Sequence, residues 1–167
     1  MKKFVFATNS NNLAATIGRT TLGIVLLAHG AQKFLGWFGG YGFDGTMAYL
    51  THTAGLPWLI ALLVIVIEFF GSLSLIIGFA TRLWSMAILI LALGIIETVH
   101  FQFGFFMNWF GNQKGEGFEY FLLMLGLAGS LIFSGGGMLS VDSLLVRKKS
   151  NGTSQQVILV QKEAKVA

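Results

Sequence analysis

Four apolar stretches, each near the length that crosses a bilayer, fill most of this 167-residue chain, and nothing constrains its folding more. About 20 helical residues at 1.5 Å each cover the roughly 30 Å of hydrocarbon in a membrane. The stretches run Leu13 to Leu35, Pro57 to Phe79, Leu83 to Phe105 and Phe118 to Leu139. In lipid every backbone N–H and C=O must be satisfied within its own segment, so each stretch is expected to be a helix. Composition agrees: 54% of residues are hydrophobic, 14% aromatic and only 11% charged, too few polar groups to cover a water-soluble domain. The fold class expected is all-α: an integral membrane, antiparallel four-helix bundle.

The basic residues give an orientation. Lys2, Lys3, Arg82, Arg147, Lys148, Lys149, Lys162 and Lys165 fall on one side of a four-span path, leaving Lys33 and Lys114 near the other. Both termini are therefore expected in the cytoplasm, with residues 1–12 a short N-terminal segment, 13–145 the membrane domain and 146–167 a basic, disordered tail. Met1-Lys2-Lys3 before an apolar run also has the look of a signal peptide, but Arg19 inside that run and the poor cleavage sequence Ala-His-Gly-Ala-Gln argue for a retained span. The net charge of +4 follows from this topology and from attraction to anionic lipid, and a nucleic-acid role is not expected. No cysteine is present, which removes disulfides, thiolate metal sites and dithiol relays.

Only Ala80, Thr81 and Arg82 separate the second and third spans, which demands a tight hairpin. The outer connections are longer and rich in Trp, Phe, Tyr and Gly, a composition suited to the membrane interface or to the mouth of a site for a flat ring. Asp44-Gly-Thr-Met-Ala-Tyr-Leu reads as a short interfacial helix in the first outer loop, capped by Asp44.

Ionisable residues inside the spans are costly in lipid and normally face a protein interior. At helical spacing they share a stripe with small residues: Arg19, Gly23, Leu26, Gly30 and Lys33 in the first span; Glu68, Gly71, Leu75 and Gly78 in the second; Gly94, Glu97, Phe101 and Gly104 in the third, with His100 beside them; Glu119, Leu122, Gly126, Gly129, Phe133 and Gly136 in the fourth. Small residues let helix backbones approach, so all four stripes are expected to meet at the bundle centre. Counting from span midpoints puts Glu68 near the bilayer centre, Glu97 roughly 5 Å outward, His29 and His100 roughly 8 to 9 Å outward, and Lys33 and Glu119 at the outer interface. Arg19 alone falls in the inner half. Carboxylates and imidazoles from separate spans are thus expected to touch in the outer half.

Six strings, Arg19-Thr-Thr-Leu-Gly23, His29-Gly30-Ala-Gln-Lys33-Phe34, Glu68-Phe-Phe-Gly71, Gly78-Phe-Ala-Thr-Arg82, Gly117-Phe-Glu119 and Ser140-Val-Asp142, closely resemble the DoxX family of small four-helix bacterial inner-membrane proteins. The resemblance covers Leu13 to Leu145. It implies a multi-pass protein of the bacterial inner membrane in a redox setting, since family members include subunits of a terminal oxidase complex and of a membrane thiosulfate:quinone oxidoreductase. It implies no agreed catalytic residues.

Chemistry then assigns provisional roles. Quinone reduction places two electrons and two protons on carbonyl oxygens. Glu68, Glu97 and His100 are candidates for proton exchange. His29, Lys33, Arg19, Trp37, Trp109 and Glu119 are candidates for ligand binding. Each has a plainer alternative: Lys33 and Arg19 can snorkel to phosphates, Glu119 can complement a helix dipole, and the buried pairs can serve packing alone. The two histidines could ligate a haem, but neither haem nor a metal site is adopted, and no intrinsic cofactor beyond a bound quinone is expected. Nothing in the sequence supplies electrons, so the expected partners are the lipid bilayer, a redox subunit or diffusible reductant, and further copies of the chain. A non-catalytic scaffold or assembly subunit, and a small-solute or proton carrier, are the competing functions.

Overall fold

The computed structural model describes residues 2–146, and among these every regular element is helical. The tail beyond residue 146, with its basic residues from Arg147 onward, lies outside the described residues. Helices α1 (Lys2–Val5), α2 (Leu13–Leu35), α3 (Gly42–Ala48), α4 (Trp58–Ile77), α5 (Thr81–Phe103) and α6 (Glu119–Ser134) are followed by a last helical segment at 141–146, termed α7. Of these, α2, α4 and α5 are long and apolar enough to cross a membrane, and α6 is apolar but shorter.

Helix α2 starts where expected because Asn12 accepts the Ala15 N–H on its side-chain oxygen at 3.0 Å, and it ends at Gly36, whose φ of 75° stops the spiral. The fourth apolar helix is a correction. Its 16 residues reach only about 24 Å, because the chain leaves helical geometry at Gly135 (φ 73°) instead of continuing to Leu139. The N-terminal segment causes this: a side chain at Gly135 would run into the Ala7 carbonyl and Thr8, and the Gly137 N–H donates to Thr8 Oγ1 at 2.7 Å. The segment around Phe4, Ala7 and Thr8 therefore holds part of the fold together. Arg82 Nε donates to the Ala7 carbonyl at 2.8 Å, and its guanidinium lies 4.9 Å from the Phe4 ring centroid.

The hairpin between α4 and α5 is as tight as expected and needs two positive φ angles, Gly78 at 73° and Ala80 at 48°. Alanine is strained there. Asp142 in α7, fully buried, holds the turn by accepting the Ala80 N–H at 2.8 Å and the Thr81 N–H at 3.0 Å, which also places a carboxylate at the N-terminus of α5. The short helix after the first outer loop begins at Gly42 with Tyr41 in the capping position, so Asp44 sits inside its first turn and does not cap it.

Helices α2 and α4 pack antiparallel on the stripes read from the sequence. Gly23 lies against Ser72 and Ile76, and Gly30 against the backbone of Glu68 and Phe69. Helix α6 closes the core against α2 and α5 through Met124, Ala128 and Leu131, which meet Leu22, Leu26, Leu75, Ile88 and Ala92. The stripes expected for α5 and α6 do not face this core. The buried face of α5 is Thr81, Ser85, Ile88 and Ala92, and that of α6 is Met124, Ala128, Leu131 and Ile132. Gly94, Glu97, Phe101 and Gly104 are exposed, as are Leu122, Gly126 and Phe133. Polarity does not mark the buried face on either helix, since that of α5 includes Thr81 and Ser85 while Glu97 lies outside, and the small residues chosen for contact are Ala92 and Ala128.

Wide π-helical turns interrupt α4 at Ile67–Gly71 and α5 at Ile96–His100, and a third, Tyr49–Thr53, continues the short α3. Each carries ionisable residues: His52 in the first, Glu68 in the second, Glu97 and His100 in the third. Such turns recur at functional sites.

Candidate functional site

The close approach of α2 and α4 at Gly30 sets up the most unusual contact in the molecule. One turn beyond Gly30, Lys33 Nζ donates to Glu68 Oε2 at 2.5 Å. The Glu68 side chain is only 4% exposed, whereas that of Lys33 is 28% exposed, so the carboxylate is reached past the ammonium. The wide turn at Ile67–Gly71 carries Glu68 into the interior between the helices. Beside the pair in sequence, Phe34 lies 4.9 Å from Phe69, 5.6 Å from Phe70 and 6.2 Å from Phe43, centroid to centroid, at interplanar angles of 42°, 61° and 88°. Tyr120 of α6 packs on the adjoining core. The ion pair thus joins two apolar helices whose neighbouring residues form a cluster of tilted aromatic rings. Its lysine has two further N–H donors and its glutamate a second oxygen, so a ligand carbonyl could be held and a proton exchanged at one place.

Arg19 belongs to a separate network towards the other end of α2. It is 2% exposed, and Nε donates to the Gly136 carbonyl at 2.7 Å, Nη1 to Leu75 at 2.9 Å and to Ile76, and Nη2 to Leu139 at 3.0 Å and Met138 at 3.2 Å. All five guanidinium N–H groups can thus be taken up by backbone carbonyls. The arginine joins the end of α4 to the chain following α6.

The remaining candidates are dispersed. His100 is half-buried; its Nδ1 lies 2.7 Å from the Glu116 carbonyl and its ring 4.6 Å from Phe121. Glu119 Oε1 accepts the Met107 N–H and the Trp109 Nε1–H, both at 3.0 Å, tying the second outer loop to the start of α6. Trp109 and Trp37 are 78% and 59% exposed, at the rims of their loops. His29 and Glu97 are exposed and have no side-chain partner among the described residues. The expected meeting of carboxylates with imidazoles is therefore corrected: among the described residues, no carboxylate touches an imidazole. Glu97 turns away with the outer face of α5, and the contact that does form is ammonium to carboxylate. Sequence reasoning missed Tyr120 and the Phe34, Phe69 and Phe70 cluster; the adjacency of Phe34 to Lys33 and of Phe69 to Glu68 was the available signal.

Comparison with known proteins decides the family. The DoxX family model matches residues 14–101, more than half of the chain. The chain belongs to the DoxX family. The match runs from α2 through most of α5 and includes both members of the Lys33–Glu68 pair. The chain is also 30% identical over 134 residues to a Bacillus subtilis (strain 168) protein described as "Putative oxidoreductase CatD", covering 80% of this chain and 88% of that DoxX-like relative. No solved structure matches. With its apolar helices, this DoxX protein is a membrane protein.

Proposed function

We propose that the protein is a quinone-linked accessory or subunit of a membrane oxidoreductase, with Lys33 and Glu68 as its ligand-binding and proton-exchanging centre. In this reading it spans the bacterial inner membrane four times as an antiparallel bundle, α6 being the short fourth span, with both termini in the cytoplasm. The observation that carries the reading is the 2.5 Å Lys33–Glu68 pair, set between apolar helices with the carboxylate almost wholly buried. Such a pair adds little net stability over apolar residues of the same size, which leaves room for a functional reason to keep it. The oxidoreductase description of the relative supports the setting.

The chemistry is a two-electron, two-proton conversion of quinone to hydroquinone. Lys33 Nζ donates a hydrogen bond to one quinone oxygen, Glu68 takes a proton from water and passes it to that oxygen, and the second oxygen takes its proton from water. Phe34, Phe69 and Phe70 border the flat ring. Electrons come from a partner subunit or a diffusible reductant. Arg19 holds the framework, while His100, Glu119 and Trp109 fix the loop before α6.

The test is binding of a short-chain quinone to the purified protein in nanodiscs, read by quenching of tryptophan fluorescence, with Trp37→Phe and Trp109→Phe used to locate the signal. Saturable quenching that weakens at least tenfold in Glu68→Gln is expected. Absence of saturable binding in the wild type overturns the quinone reading. Binding unchanged in Glu68→Gln, with loss of the partner oxidoreductase from the membrane when the chain is deleted, favours the scaffold alternative instead.

A further inference from the structure

Two ionisable groups stand on exposed faces of membrane-length helices with nothing to pair with among the described residues. His29 lies five residues past Ile24, the middle of Leu13–Leu35, and Glu97 lies five residues past Ala92, the middle of Thr81–Phe103. Helices α2 and α5 run in the same direction, since each packs antiparallel to α4 or turns tightly from it. Both groups therefore sit at one level, about 7.5 Å beyond their helix midpoints. They cannot meet within one chain. Helix α6 packs against both α2 and α5, and those two make no comparable contact with each other, so α6 stands between them.

A carboxylate facing acyl chains is strongly disfavoured, and a histidine at the same depth is its natural partner. Room for a neighbour exists beside Glu97: a side chain built at Gly94, one turn earlier, would meet nothing within 4 Å. We infer that a second copy of this chain covers the outward face of α5, with Glu97 of one copy paired to His29 of the next. Glu97 on α5 and His29 on α2 are different patches, so the contact joins unlike surfaces and closes either as a two-fold pair making both contacts at once or as a ring. A two-fold dimer centred on Glu97 itself would bring Glu97 against Glu97, which like charge opposes. The inference does not depend on quinone binding.

Because the natural chain contains no cysteine, disulfide trapping tests it cleanly. His29→Cys and Glu97→Cys, both at exposed positions, are expressed singly, together in one chain, and mixed as single variants, then oxidised in native membranes with copper phenanthroline. Leu123→Cys, on α6 and 72% exposed, is the collision control. The mixed single variants should give a covalent dimer, and the double variant a covalent dimer or a ladder that ends at one size, at yields at least tenfold above the control. Cross-linking of Glu97→Cys with itself, an internal disulfide in the double variant, or no product above the control overturns the inference. In a second measurement, native mass spectrometry of the wild type should give one closed oligomer whose share falls at least tenfold in Glu97→Gln and recovers in the exchanged His29→Glu, Glu97→His variant. A wild type that is monomeric, or an exchange that fails to restore the oligomer lost in Glu97→Gln, also overturns it.

Discussion

Replacing Gly30 with alanine measures how closely α2 and α4 must approach for Lys33 to reach Glu68. A Cβ at Gly30 would stand 2.6 Å from the carbonyl carbon and oxygen of Glu68 and 2.7 Å from the Cα of Phe69. All three are backbone atoms, so no rotamer change can relieve the clash. Ordinary contact begins at 3.4 Å, and the two helices must part by roughly 1 Å. Overpacking of this kind costs about 1–3 kcal/mol, offset by about 1 kcal/mol because alanine is the better helix former. The net loss of up to roughly 2 kcal/mol should lower the thermal midpoint by up to about 8 °C in a chain of this size. Gly126→Ala is the matched control, because nothing lies within 4 Å of its Cβ position, and only the propensity gain of up to about 1 kcal/mol remains. Detergent-solubilised variants heated and assayed by fluorescence-detected size exclusion give both midpoints side by side. Equal midpoints for the two variants, or a larger loss in Gly126→Ala, would refute the packing argument.

Three further perturbations follow from the same contacts. Arg19→Lys keeps the charge but lacks the fork that serves the Gly136, Leu75, Ile76, Met138 and Leu139 carbonyls, and should destabilise by about 2–4 kcal/mol; an unchanged thermal midpoint would mean that the arginine only reaches for lipid phosphate. Asp142→Ala leaves the buried N–H groups of Ala80 and Thr81 unsatisfied at about 1–3 kcal/mol each, while Ala80→Gly relieves a φ of 48° and should stabilise by about 1 kcal/mol, both read as opposite shifts in midpoint. Trp109→Phe removes an exposed bond to Glu119 and should change stability by less than about 0.5 kcal/mol, so a large loss in the same assay would show that the second outer loop carries more of the fold than its exposure indicates.

Half of the interior was readable from the residues and half was not, for a physical reason visible in the helices themselves. In α2, Arg19 and Lys33 carry polarity into an apolar segment, and with Gly23 and Gly30 they mark a single face; in α4, Glu68 and Gly71 do the same. The order of helices and the hairpin at Gly78 to Ala80 were legible for similar reasons. In α5 the buried face includes the polar Thr81 and Ser85, and in α6 it is as apolar as the rest, so spacing chose Gly94 with Glu97 and Leu122 with Gly126, all of which the fold leaves outside. The wide turns at Ile67–Gly71 and Ile96–His100 are not announced by the local sequence. Arg19 was recognised as buried, but its partners arrive from residues 136–139 and so depend on tertiary contacts more than a hundred positions away. The early end of α6 is likewise set by Ala7 and Thr8, from a segment that reads as a plain leader to the first span.

Affinity for a short-chain quinone, compared in nanodiscs among the wild type, Lys33→Met, Glu68→Gln and the double variant, bears most directly on the role assigned to the buried pair. The double variant retains a neutral, space-filling pair and guards against misfolding from an unpaired buried charge. Each single variant should bind at least tenfold more weakly than the wild type, a loss of about 1.4 kcal/mol, and the double should be no weaker than the poorer single, because the two groups act as one unit. Identical dissociation constants across all four proteins would contradict the assignment.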